Sequence, residues 1–210
     1  MKPPINHTQP IDNKVRKRIF GAGRGLVFTP THFLDLGGRD AVDQALSRLT
    51  AEGAIRRLAR GLYDYPKVHA VLGELLPSPD AVAKALAARD AVRLQPAGAY
   101  AANLLGLSEQ VPAIIIFLTD GLARTVQVGA MKIVLQRTTP RAMATAGRLS
   151  GLLIQAFRYL GKENISPDVL SLLRKQLPAQ ERESLPRDIK FAPTWMHRHF
   201  RDLAKPLEKS

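Results

Sequence analysis

The sequence predicts an α+β protein: an N-terminal winged helix-turn-helix followed by a mixed α/β C-terminal domain with a small sheet and several helices. Three observations carry this expectation. Between residues 12 and 65 two helical patterns are followed by a turn-rich segment of period two. The run AIIIFLT at 113–119 is continuously apolar, as in a buried strand. From Arg141 onward, apolar residues recur at helical spacing. The expected organisation is a flexible arm over residues 1–10, the winged helix over 11–68, a linker over 69–77 and the second domain over 78–210.

The elements follow in order. DNKVRKRIFG, from Asp12, reads as a first helix that packs Val15, Ile19 and Phe20 and leaves Lys14, Arg16, Lys17 and Arg18 largely outside. GAGRG at 21–25 lacks the lysine and hydroxyl residue of a phosphate-cradling loop and follows a helix instead of a strand, so it is a turn. Thr29 can cap a short helix opened by Pro30, with Phe33, Leu34 and Leu36 inward. Gly37 and Gly38 permit a sharp turn into a second helix, Arg39 to Glu52, whose Val42, Ala45, Leu46 and Leu49 share one face and which Gly53 stops. Ile55, Leu58, Leu62 and Tyr63 then fit two short strands joined by Ala59, Arg60 and Gly61.

In the second domain, Ser78 or Asp80 caps a helix carrying Val82, Leu86 and Ala87, and a short strand is expected at Ala91–Leu94. PAGAYAANLLGL is a helix ended by Gly106. After the apolar run, Asp120-Gly121 marks a turn, and Thr125–Val128 and Met131–Arg137 form a hairpin across Gly129 and Ala130, for a nucleus of three strands. A long helical face runs from Met143 through Leu149, Leu153, Phe157 and Leu160 to Gly161. Ser166-Pro167, Pro178 and Pro193 open the remaining helices.

Composition bounds the function. The chain of 210 residues is 45% apolar, enough for a buried core in one or two domains. It has no cysteine, which excludes disulfides and thiolate metal sites and makes a reducing cytoplasm the expected compartment. MKPPINHTQPIDNK contains no signal-like apolar run, and no stretch suggests a membrane span. The net charge of +13 suits a polyanionic partner, because basic side chains release counterions condensed on phosphates. Residues 1–68 hold 12 basic and 6 acidic residues, so the field extends beyond the first domain.

No catalytic constellation, metal-ligand spacing or cofactor motif is present; His197 and His199 point to different sides of a helix and read as surface histidines. The second helix instead leaves Arg39, Asp40, Asp43, Gln44, Ser47 and Arg48 outward, side chains suited to base edges and phosphates in a major groove. Asp40 favours the helix N-terminus electrostatically. Thr29 and Thr31 beside the turn, with Arg56, Arg57 and Arg60 near the hairpin as phosphate contacts, complete the DNA-binding candidates. A secondary basic surface is expected from Arg124, Lys132, Arg137, Arg141, Arg148 and Arg158, because residues 121–162 contain no acidic side chain. The same residues could equally be scattered without forming a patch.

The stretch FTPTHFLDLGGRDAVDQALSRLTAEGAIRRLARGLYDYP resembles the N-terminal winged helix of AbiEi-like antitoxins of type IV toxin-antitoxin systems. The Phe-Thr opening, the Asp-Leu-Gly turn, AVDQALSRL and the Ile-x-Arg-Leu-x-x-Gly-Leu-Tyr hairpin occur in the family's order. The match covers about the first third of the chain, and the rest agrees more loosely with that family's C-terminal domain. The resemblance implies a repressor of its own operon that binds double-stranded promoter DNA, and no enzymatic activity is expected of it; two copies on an inverted repeat would be a natural way to enlarge the interface. It further implies that the second domain counters a nucleotidyltransferase-type toxin. A winged-helix regulator without a toxin, and a protein-interaction module, are the competing readings of the same residues.

Overall fold

The computed structural model describes residues 10–206. It is an α+β protein in which the chain forms two compact units. One runs to Ala91 and includes Val126–Ala130; the other comprises Val92–Thr125 and the chain from Met131 onward. The expected arm lies outside the described residues apart from Pro10, which opens the first helix.

In the first unit, α1 (Pro10–Ala22) is followed by β1 (Val27–Phe28), a 3-10 turn (Pro30–Phe33), α2 (Arg39–Ala51) and the strands β2 (Arg56–Ala59) and β3 (Leu62–Asp64). The three strands make one sheet, ordered β1-β3-β2, so Val27-Phe28 supplies an edge strand that the sequence did not announce. Val15 and Ile19 of α1, Phe28, Phe33 and the apolar face of α2 (Val42, Ala45, Leu46, Leu49) close a single core. Phe28 meets Phe33 edge-on at 5.3 Å and stacks on Tyr63 at 6.0 Å, fixing the sheet against the helical turn. Phe20 is more exposed than expected and stacks on Tyr65 instead of entering the core. Leu34, expected inward, is also exposed, because the 3-10 turn ends at Phe33 and rotates it out.

The turn before α2 works differently from the expected pair of flexible glycines. Neither Gly37 nor Gly38 has a positive φ; a Cβ on Gly37 would sit 2.2 Å from Ile11 Cδ1, so that glycine admits α1 at close range, while Gly38 is the extended residue ahead of the helix. Gly53 at φ +69 and Gly61 at φ +67 do take the left-handed conformation, ending α2 and turning the hairpin.

Residues expected to be a linker are ordered: β4 (Val68–His69) and β5 (Gly73–Glu74) form a small antiparallel hairpin. The helix α3 (Pro79–Asp90), capped by the Ser78 hydroxyl accepting from the Ala81 N–H at 3.3 Å, belongs to the first unit. It buries Val82, Ala83, Ala85 and Leu86 and packs against β1, so the break between units falls after α3, not at residue 78.

The second sheet contains four strands in the order β6-β7-β9-β8: the expected three-strand nucleus is joined by the short strand expected ahead of it. They are β6 (Leu94–Ala97), β7 (Ile114–Thr119), β8 (Arg124–Val128) and β9 (Met131–Arg137), with β7 antiparallel to β6 and parallel to β9. Strand β6 starts three residues later than predicted, because Ala91 at φ 51 terminates α3 and shifts the extended segment downstream. Its Pro96 is tolerated because β6 is an edge. The helix α4 (Gly98–Leu104) follows it.

The long helix predicted from Arg141 is two helices, α5 (Pro140–Met143) and α6 (Leu149–Leu160), separated where Gly147 takes φ +76. Behind the break, a Cβ on Gly151 would lie 2.3 Å from the Thr145 carbonyl oxygen and 2.4 Å from Gln95 Oε1. The chain bends so that α6 can approach β6 this closely. The helices α7 (Pro167–Gln176), α8 (Ala179–Glu183), α9 (Leu185–Asp188) and α10 (His197–Ala204) enclose a core of Leu153, Phe157, Leu173, Leu185, Met196 and Phe200. Arg182, only 3% exposed, has no carboxylate partner among the described residues and is satisfied by the carbonyls of Leu177, Leu203 and Lys205 at 2.9 to 3.3 Å.

Candidate nucleic-acid interface

The apolar stripe of α2 faces the core, which leaves Arg39, Gln44, Ser47 and Arg48 exposed on the opposite side, with Asp43 half-exposed among them. Arg39 Nε donates to Asp43 at 2.8 Å, a pair one turn apart that orders both chains on the surface. Arg48 donates to Asp12 of α1 and lies 3.4 Å from Gln44 Oε1. Arg48 therefore ties α2 to α1 while its side chain stays 46% exposed. Gln44 and Ser47 are the polar groups on this face with the fewest structural commitments.

Beside it, the turn is held by charge and hydrogen bonds. Arg18 of α1 grips Asp35 through two bonds of 2.6 and 2.7 Å and donates to the His32 carbonyl at 3.1 Å. The guanidinium holds the Asp35 carboxyl below the usual carboxylate range. Arg18, expected to be largely free, thus positions the turn.

Thr29 is fully buried. Its hydroxyl is shared with Thr31 Oγ1 at 2.7 Å and His32 Nδ1 at 3.1 Å, and its N–H donates to the same His32 nitrogen at 3.2 Å. It is a structural member of the turn, which corrects its place among the DNA contacts. Thr31 remains half-exposed.

The three hairpin arginines part company. Arg56, expected to meet phosphate, is bound bidentately to buried Asp64 at 2.7 and 3.1 Å and donates to the Leu75 carbonyl at 2.8 Å. These bonds to Asp64 strengthen its proton affinity and commit it to the fold. Arg57 and Arg60 are exposed and have no hydrogen-bond or ion-pair partner among the described residues. Exposed Lys14 and Lys17 of α1 share that condition. The face accordingly offers Gln44, Ser47 and the Arg39 and Arg48 guanidiniums along a helix, and Arg57 and Arg60 at the adjoining hairpin.

In the second unit the expected basic surface is divided. Arg148 binds Asp188 at 2.9 Å, and Ser150 donates to the other oxygen of the same carboxylate. Arg124 is half-buried, while Lys132 and Arg137 are exposed on β9. Only Arg141 and Arg158 come together, on the wall of one cavity. His199 is not the surface histidine expected: its Nδ1 is buried without a partner among the described residues, and its ring lies against Phe157 and Trp195 at 6.0 and 6.3 Å. Burial, with help from Arg198, lowers its pKa below the ordinary 6.5. The described residues contain no group of three or more histidine, aspartate or glutamate side chains placed to hold a metal. None of their helices is long and apolar enough to cross a membrane.

The family of unknown function DUF6088 matches this chain over residues 14–185, and the chain belongs to that family. The match spans both units. No curated protein and no solved structure matches the chain.

Proposed function

We propose that the first unit is a winged helix that reads double-stranded DNA, with α2 in the major groove and the β2-β3 hairpin as the wing against the backbone. The observation that carries this reading is the pairing of an exposed polar face, Gln44 and Ser47, with Arg57 and Arg60 at the following hairpin, which have no partner among the described residues. Amide and hydroxyl groups can discriminate base edges, whereas the two guanidiniums supply sequence-independent attraction to phosphates. The net charge of +13 adds long-range attraction to any nucleic acid.

Together with the resemblance to AbiEi-like antitoxins, this makes the protein a non-enzymatic, cytoplasmic repressor of its own operon, with the second unit opposing a nucleotidyltransferase-type toxin. Binding as a dimer to an inverted repeat belongs to the same proposal. The direct test is a mobility shift of the region upstream of the gene. A specific shift that Gln44→Ala redirects among sites, and that Arg60→Ala weakens equally on all sites, supports the reading; binding to no duplex at low salt overturns it. Rescue of growth when the chain is co-expressed with the product of a neighbouring nucleotidyltransferase gene tests the antitoxin role separately.

A further inference from the structure

We propose that the second unit carries a binding site for the phosphate group of a small phosphate ester, in the cavity between α5 and the C-terminal half of α6. The cavity measures about 170 Å³ and is lined by Thr138, Thr139, Arg141, Thr145, Gln155 and Arg158, closed on its apolar sides by Ala142, Ile154 and Phe191. No carboxylate lines it, so its two guanidiniums are not neutralised at the wall.

The groups are built in, not scattered. Ile154, Gln155 and Arg158 follow the i, i+1, i+4 spacing of one helix face, and Arg141 is pinned by donating to the Lys190 carbonyl at 3.1 Å. Arg158 has no partner among the described residues. A further sign of a ligand comes from the buried polar side chains. Gln155 is 8% exposed and Thr145 2%; neither side chain has a hydrogen-bond partner among the described residues, and both line the cavity, where a ligand or solvent reaches their polar groups. An amide and a hydroxyl without protein partners, gathered beside two guanidiniums on one cavity wall, make the donor set of an oxyanion receptor. The Thr139 hydroxyl already accepts from the Ala142 N–H at 3.3 Å, which turns its own hydrogen towards other acceptors.

Size selects the class of ligand. The volume is well below the roughly 300–1,000 Å³ of sites that engulf whole drug-sized molecules. It suits a phosphate group, with the remainder of the molecule outside. A phosphate of the DNA backbone shares this chemistry but has duplex on both sides, so the experiment separates the two sources.

Calorimetric titration of the full chain with inorganic phosphate and with ribose 5-phosphate, at constant ionic strength, tests the proposal. Saturable binding of one equivalent is expected, weakened roughly tenfold or more in Arg158→Gln, as for loss of a charge-assisted bond. Gln155→Leu is expected to weaken it less. Arg187→Gln, at an exposed arginine of α9 outside the cavity, leaves it unchanged. Arg158 is exposed and has no hydrogen bond or ion pair among the described residues, so an unchanged urea midpoint is expected for Arg158→Gln. Lack of saturable binding, or equal losses in Arg158→Gln and Arg187→Gln, overturns the proposal. So does Arg158→Gln weakening duplex binding in parallel, since the cavity would then belong to a DNA surface. Phosphate binding without any DNA binding would leave this site standing and remove only the winged-helix reading.

Discussion

Arg56 and Arg57 are chemically identical neighbours with different fates. Arg56 neutralises Asp64, whose side chain is 1% exposed. Removing it strands a buried carboxylate, so Arg56→Ala should cost about 3 kcal/mol, read as a lowered urea midpoint. Arg57→Ala should leave that midpoint unchanged and lower DNA affinity. Its salt slope should fall by about 1, the signature of one lost phosphate contact. The two variants together distinguish a fold-holding arginine from a ligand-holding one. Unchanged stability in Arg56→Ala would return that residue to the proposed DNA-binding face.

Among elements, α6 shows how close approach decides a helix's limits. Replacing Gly151 with alanine would gain about 1 kcal/mol of helix propensity, but the new Cβ meets the Thr145 carbonyl, which is backbone and cannot move aside cheaply. Overpacking costs about 1–3 kcal/mol or more, so Gly151→Ala should destabilise overall. At Gly37 the obstructing atom is Ile11 Cδ1, the tip of a flexible side chain that can rotate away. Gly37→Ala should therefore be the milder of the two in thermal denaturation. The helix α10 places His199 against Phe157 and Trp195, with Arg198 and Asp202 as its charged neighbours. Its pKa is lowered on folding, so the unfolded chain binds a proton more readily below pH about 6.5. This contribution to stability is present above that pH and declines as pH falls through the folded pKa. Denaturant midpoints should fall between pH 7.5 and 5.5, and His199→Leu should flatten that slope; an identical slope in the variant would exclude His199 as its source.

For the molecule as a whole, the proposed DNA-reading role together with a net charge of +13 predicts that duplex binding weakens steeply with salt on every sequence, and that changes at Gln44 and Ser47 alter discrimination among sites. Arg16, Arg18, Arg56 and Arg148 each pair with a carboxylate of the same chain, so these pairs cancel within the +13 and the field comes from the remaining cations. The apolar periodicity of α2 was legible without coordinates: Val42, Ala45, Leu46 and Leu49 are all buried, which also determines that Gln44 and Ser47 face out. The cap at Ser166 and strand β9 at Met131–Arg137 were legible for the same reason, since hydroxyl-proline pairs and period-two patterns act locally, whereas the choice of Ser78 over Asp80 as the cap of α3 was left to the structure. Which arginine does what was not legible. With Arg60-Gly61 as a two-residue turn, regular pairing would oppose Arg57 to Asp64; a bulge between Arg57 and Ala59 shifts the register, so Arg56 meets Asp64. Likewise the acid-free run from 121 to 162 announced positive charge, but only the fold brings Arg141 and Arg158 to one cavity and spends Arg148 on Asp188. Local periodicity is written along the chain, whereas the pairing of distant charges depends on registers and helix breaks that close packing imposes.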